Sequence, residues 1–66
     1  MSNLRTAREA AGLTREELAR RANTSTSTIA RMELKGHLPS GAAIAKIASV
    51  LGIQATELLT EAADAA

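Results

Sequence analysis

Two kinds of side chain are missing from this 66-residue sequence, which contains no cysteine and no phenylalanine, tyrosine or tryptophan. Without cysteine, neither disulfide bonds nor thiolate metal ligands can support the small core that a chain of this length buries. Without phenylalanine, tyrosine or tryptophan, the chain lacks the rings on which bases usually stack in single-strand binders and many RNA binders. The fold must therefore depend on helix packing, and binding to unpaired bases is disfavoured.

Long apolar segments and catalytic motifs are also missing. No apolar run reaches the roughly 18 residues of a membrane span, and the N-terminus lacks the apolar stretch of a signal peptide. We therefore expect a cytoplasmic protein with no membrane partner. The sequence has one histidine, no paired carboxylates in a pocket-forming context and no phosphate-binding G-x-x-x-x-G-K-[ST] loop. It predicts neither an enzyme nor a cofactor.

The single histidine, His37, has no second histidine, cysteine or acid at ligand spacing. We expect no metal site there, and interpret His37 as a phosphate contact or a bystander.

Charge is distributed unevenly along the chain. Residues 1–46 contain all 8 Lys and Arg and 4 acids, a balance of +4, whereas residues 47–66 contain 3 acids and no base, a balance of −3, which together give the net charge of +1. This asymmetry suits a basic face for phosphates and an acidic end turned away from them. Ordinary solvated helix surface would explain it equally well.

The segment from Thr14 to Lys35 carries two closely spaced helix starts. Thr14 and Glu17 have the spacing of a capping box, which predicts a helix from residue 15. That helix should end near Asn23, because asparagine tolerates the left-handed conformation. Ser25, or alternatively Thr24, can cap the next helix. Two helices this close cannot lie antiparallel, so the segment predicts a helix-turn-helix.

The second of these helices has two different faces. A period of 100° per residue places Ile29, Met32 and Glu33 on the inward side. The opposite side presents Ser27, Ala30, Arg31 and Leu34, with Thr26 at its N-terminal edge. Hydroxyls, a methyl and a guanidinium can contact base edges in a DNA major groove.

Spacing and caps over the whole chain predict an all-α fold of five short helices in one domain, residues 1–66. The predicted helices span about 3–11, 15–22, 26–34, 41–51 and 55–61, and a tail, 62–66, should fray. Ser2 or Asn3 should cap the first helix, and Ser40 should cap the fourth. Apolar stripes predict inward positions for Leu4, Ala7, Ala11, Ile44, Ile47, Ala48, Leu51, Leu58 and Leu59.

Arg8 lies on the apolar stripe of the first helix and needs an explanation. A half-buried arginine requires an acidic partner, and Glu33 on the inward side of the third helix is the natural candidate. Alternatively, the Arg8 side chain extends past the stripe to solvent.

From about Leu4 to Leu59 the sequence resembles the lambda-repressor-like helix-turn-helix family of phage repressors and Cro proteins. The resemblance rests on GLTREELA (12–19), STSTIARME (25–33), the Pro39–Ser40 step, IAKIASVLGI (44–53) and ELL (57–59). Arg15 stands where the family commonly has glutamine, and Asn23 stands where it usually has glycine. The glycine after the third helix, Gly36, comes one place later than usual.

The resemblance implies that the third helix reads DNA. Bases would be contacted by Thr26, Ser27, Ala30 and Arg31, and phosphates by Thr14, Arg15, Ser25, Lys35 and His37. Arg8 and Glu33 stand where such domains often have a structural ion pair that also steadies a phosphate contact.

We therefore expect a sequence-specific regulator of transcription bound to double-stranded DNA in the nucleoid. Without an attached sensor or protease-cleavable domain, it would be similar to Cro proteins, small repressors, restriction-modification controllers and antitoxins. The alternative is a protein-interaction module on the same fold, such as an antitoxin that caps a toxin. We also expect a weak homodimer, formed in solution or only on DNA, at a pseudo-palindromic operator. Leu34, Leu38 and the alanine-rich tail from Ala62 are the candidate contacts.

Overall fold

The structure is a computed structural model that describes residues 3–59, and short turns join its helices. The helices are α1 (Asn3–Ala10), α2 (Arg15–Arg21), α3 (Thr26–Lys35) and α4 (Gly41–Leu51), and residues 55–59 form a further helix, α5. Residues 3–59 contain no strand. The prediction of an all-α fold with five helices is confirmed.

Hydroxyl side chains cap the starts of α2, α3 and α4. Thr14 Oγ1 accepts from the Glu17 N–H at 3.0 Å, and Glu17 Oε1 accepts from the Thr14 N–H at 3.1 Å, which completes a reciprocal capping box. Ser25 and Ser40 accept from the backbone N–H three residues later, at 3.1 and 3.3 Å. Because each cap uses residues within one helical turn, the starts of these helices could be predicted from local sequence.

The turn between α2 and α3 is a Schellman motif. The Thr24 N–H donates to the Ala19 carbonyl at 2.8 Å, and the Asn23 N–H donates to the Arg20 carbonyl at 3.2 Å. Asn23 has a positive φ of 55°, in the left-handed region that asparagine tolerates. The chain therefore passes from α2 to α3 within four residues, 22–25, and the two helices pack against each other.

All five helices contribute to one core. α2 packs on α3 and α4, while α1 packs on α3. The Asn3 side-chain amide of α1 donates to the Glu57 carbonyl of α5 at 3.1 Å, so the two ends of the described chain meet. The largest fully buried side chains are Leu4, Leu18, Ile29 and Ile47. They come from α1, α2, α3 and α4, and Leu58 of α5 is buried in the same cluster.

The structure differs from the sequence prediction at several places. Leu59 is 43% exposed although its stripe predicted burial, because α5 turns Leu58, and in part Ala55, toward the core. Ala11 is exposed because α1 ends at Ala10 and the chain turns away. α2 ends at Arg21, one residue early, and α3 extends to Lys35, one residue further than predicted. Residues 60–61 of the fifth predicted helix, and the tail 62–66, lie outside the described residues.

Candidate nucleic-acid interface

The outer face of α3 presents short polar groups and one cation. Ile29 and Met32 are buried, so the helical period turns Thr26, Ser27 and Arg31 outward, and all three are exposed. Ala30, at the edge of this face, is half-buried. The structure therefore brings the four sequence-predicted base-contacting residues to one side of one helix.

The one acid of α3 does not disturb this face. Glu33 is the only carboxylate in the sequence of the helix, and its side chain is 0% exposed. The charges that α3 shows to solvent are those of Arg31 and Lys35, both exposed. The exposed surface of α3 is therefore positively charged, which favours contact with a polyanion.

The Ser25 side chain caps the start of α3. Its Oγ accepts from the Thr28 N–H at 3.1 Å and lies 2.8 Å from Thr28 Oγ1, where either hydroxyl can be the donor. When Thr28 donates, the Ser25 hydroxyl proton stays available to a phosphate oxygen beside the start of α3.

Arg8 and Glu33 form a two-pronged ion pair between α1 and α3. Arg8 Nε donates to Glu33 Oε2 at 2.7 Å, and Arg8 Nη2 donates to Glu33 Oε1 at 3.2 Å. Arg8 Nη1 donates to the Leu13 carbonyl at 2.9 Å, which fixes the turn before α2. The Arg8 side chain is 11% exposed, so it does not extend into solvent.

Arg15 binds the same carboxylate, which the sequence analysis did not predict. Arg15 Nε donates to Glu33 Oε1 at 3.1 Å, and the Arg15 side chain is 35% exposed. The only sequence signal was an arginine on α2, the helix that must pack beside α3. The contact itself depends on how these helices cross.

The surroundings of Glu33 shift its pKa in opposite directions. Burial of the carboxylate raises its pKa, but the hydrogen bonds from Arg8 and then Arg15 lower it by more, and the result is a lowered pKa. The Arg8 pKa is raised, chiefly by its hydrogen bond to Glu33 and against the effect of burial. Arg8 and Glu33 therefore both stay charged at neutral pH.

The other residues predicted to contact phosphate lie at the start of α2, at the end of α3 and in the loop after α3. Thr14 is exposed at the start of α2, where its hydroxyl oxygen accepts from the Glu17 N–H and its hydroxyl also interacts with the Glu17 carboxylate. Lys35 ends α3 and His37 follows in the next loop, and both are exposed. Gly36 between them has φ 67° and ends α3.

Within residues 3–59, no group of three or more His, Cys, Asp or Glu side chains could hold a metal ion. None of the helices described there is long and apolar enough to cross a membrane.

Comparison with known proteins gave one match. A family model described as helix-turn-helix matches residues 4–58, which runs from the first buried leucine of α1 to the buried leucine of α5. The match therefore includes the α2–α3 pair, its caps and the Arg8–Glu33–Arg15 cluster. A search of curated proteins and a search of solved structures gave no significant match.

Proposed function

Since the chain belongs to the lambda-repressor-like helix-turn-helix family, a family of DNA-binding regulators, we propose that it is a sequence-specific transcription regulator that reads double-stranded DNA with α3. It acts by occupying an operator rather than by chemistry. In type it is a Cro protein, small repressor or controller. Its place is the nucleoid, in the cytoplasm.

The observation that carries the proposal is the composition of the outer face of α3. Thr26, Ser27 and Arg31 are exposed, while the helix's single carboxylate is fully covered. A guanidinium pairs with guanine O6 and N7, hydroxyls bond to either base edge, and the methyl of Ala30 fits a thymine methyl. An exposed acid on this face would repel the phosphates that flank the groove.

The phosphate contacts in this proposal surround α3. Thr14 and Arg15 lie on one side, at the start of α2. Lys35 is the last residue of α3, and His37 lies in the loop that follows. Ser25 lies at its N-terminal end. Contacts of this kind fix the register of the helix in the groove, whereas the outer face of α3 supplies sequence information.

Two copies of the chain would bind one operator. A single α3 of ten residues covers few base pairs, and a two-fold dimer places two such helices about 10 base pairs apart. The operator in this proposal is therefore a pseudo-palindrome.

Salt dependence tests whether the protein binds DNA. A dimer with three or four phosphate contacts per subunit should show a slope of roughly −5 to −7 when log affinity is plotted against log salt. The measurement is fluorescence anisotropy with a duplex of random sequence between about 50 and 200 mM salt. An RNA duplex of the same sequence is the control, because side chains cannot read its narrow major groove. Affinity that is flat in salt would favour a protein-interaction module, such as an antitoxin, over a DNA-binding regulator.

A further inference from the structure

One carboxylate holds arginines from two different helices. Glu33 Oε1 of α3 accepts from Arg8 Nη2 of α1 at 3.2 Å and from Arg15 Nε of α2 at 3.1 Å. Glu33 is fully covered, while Arg15 remains 35% exposed. Arg15 therefore has one part fixed by protein and another part open to solvent.

The shape of a guanidinium shows which nitrogens of Arg15 are held by Glu33 and which remain available. Its five N–H groups lie in one plane, with Nε on one edge and the two terminal nitrogens at the far end. Among the hydrogen bonds of residues 3–59, Arg15 uses Nε to reach Glu33 and leaves both terminal nitrogens without a protein acceptor. Two parallel N–H groups at that end match two oxygens of one phosphate.

We propose that Glu33 is a positioning residue for DNA binding, which holds Arg15 through Nε so that its terminal nitrogens clamp one backbone phosphate. The inference rests on the proposed function and names how one of its phosphate contacts is built. An exposed arginine loses side-chain entropy when it binds, and a guanidinium already held by Glu33 has lost part of that entropy in the free protein.

Arg8 makes a carboxylate at this place compatible with DNA. In its two-pronged pair with Glu33, one positive charge balances one negative charge. The charge of Arg15 is therefore unbalanced, and the three side chains together carry a net charge of +1. Without Arg8, the negative charge of Glu33 would offset the charge that Arg15 offers to the phosphate.

Lysine cannot replace Arg15 in this role. An ammonium is a point charge on a flexible stem, so it cannot bond Glu33 with one nitrogen and a phosphate with two others. If Arg15 contributes charge alone, lysine should serve as well as arginine. If Glu33 positions a bridging guanidinium, lysine should keep the charge but lose the affinity.

The first experiment compares Arg15→Lys and Arg15→Gln with wild type on a random-sequence DNA duplex across a salt series. We expect Arg15→Lys to lose about tenfold in affinity, because it loses the charge-assisted bridge, and Arg15→Gln to lose more, because it also loses the charge. Arg15→Lys should keep the wild-type salt slope, and Arg15→Gln should reduce its magnitude by about 0.9 per subunit. Arg21→Lys, at an exposed arginine of the same helix, is the matched control and should keep wild-type affinity.

The second experiment tests Glu33 directly. We expect Glu33→Gln to weaken DNA binding in the wild-type background and to have no further effect in the Arg15→Lys background. A purely structural Glu33 would weaken binding equally in both. Nuclear magnetic resonance of the wild-type protein without DNA gives a readout that does not require the variant to fold. The Arg15 Nε–H should appear as a slowly exchanging signal, unlike that of Arg21.

The results separate this inference from the proposed function. A wild-type affinity that does not change with salt concentration would reject DNA binding itself. Salt-dependent wild-type binding that Arg15→Lys leaves intact, or an Arg15 Nε–H that exchanges as fast as that of Arg21, would reject the positioning role alone.

Discussion

Arg8 Nε lies 2.7 Å from Glu33 Oε2, and this contact joins α1 to α3 through side chains that are 11% and 0% exposed. Removing a charge from water is costly unless a partner and further hydrogen bonds replace the lost hydration. Glu33 has such replacements in three hydrogen bonds, two from Arg8 and one from Arg15. The cluster therefore joins the helices, and loss of one of its partners should destabilise the fold.

Breaking this ion pair should destabilise the fold. Arg8→Met or Glu33→Gln should each lower the free energy of unfolding by about 3 kcal/mol, because the remaining charge stays partly desolvated. The double variant should recover part of that loss. Urea unfolding of the four proteins measures the coupling.

The exposed pair Arg5–Glu9 is a matched control for that cycle. Arg5 Nε lies 3.5 Å from Glu9 Oε2, and the two side chains are 55% and 58% exposed. Pairs of this kind contribute about 0.3–0.5 kcal/mol. Strictly additive losses at Arg8 and Glu33, no more coupled than those at Arg5 and Glu9, would contradict the account.

Acid should destabilise the protein through two glutamates. Glu33 has a lowered pKa, and so does Glu17, whose carboxylate accepts from the Thr14 backbone and interacts with the Thr14 hydroxyl. A lowered folded-state pKa gives stability that is complete above the ordinary value of 4.5 and is lost as pH falls through the folded-state value. The urea midpoint should therefore be constant between about pH 7 and 5 and fall below that range. In Glu17→Gln and Glu33→Gln the fall should be shallower, and an unchanged acid profile in both would refute these assignments.

Replacing glycine by alanine should change the free energy of unfolding in opposite directions at two positions, Gly41 and Gly52. A Cβ on Gly41 or Gly52 would meet no atom within 4 Å, but Gly52 has φ 69° at the end of α4, and Gly41 begins the helix with an ordinary φ. Gly52→Ala should lower the free energy of unfolding by about 1 kcal/mol, since L-residues avoid the left-handed region. Gly41→Ala should raise it by about 0.5 kcal/mol through helix propensity. Thermal unfolding of both variants checks the signs, and two changes of the same sign would count against this backbone assignment.

Most of what the sequence could predict is local. The Arg8–Glu33 pair, 25 positions apart, is an exception, because an arginine on an apolar stripe requires an acidic partner. The capping box of Thr14 and Glu17 and the left-handed Asn23 were predictable, because their partners lie within a few residues. The Arg15–Glu33 contact spans 18 positions and depends on the crossing of two helices, so local spacing could not reveal it. The exposure of Leu59 was missed for the same reason, since periodicity does not say how much of a short helix the core reaches.

Self-association should be weak. Leu34 is 67% exposed and Leu38 is 41% exposed, and these are the candidate contacts of a two-fold dimer within the described residues. We expect a monomer–dimer equilibrium that DNA shifts toward the dimer, because a few isolated apolar side chains do not form a large interface. Analytical ultracentrifugation with and without operator measures it. Leu34→Ser should weaken cooperative binding, and a monomer on saturating operator would reject the dimer.

Sequence reading by α3 is the central claim, and Arg31 is its sharpest test. Arg31 follows Ser27 by one turn on the exposed face of α3, and a guanidinium in the major groove pairs best with guanine. Selection of bound sites from a random DNA library would first provide the operator. It should be a pseudo-palindrome with a guanine in each half-site, about 10 base pairs apart.

The decisive measurement is a cycle between Arg31→Ala and replacement of that guanine, read as affinity for four protein–DNA combinations. Guanine replacement should cost wild type about 1–3 kcal/mol per half-site and should cost Arg31→Ala almost nothing. If Arg31→Ala instead lowers affinity equally for matched and replaced sites, Arg31 is a phosphate contact and α3 does not read DNA through this face.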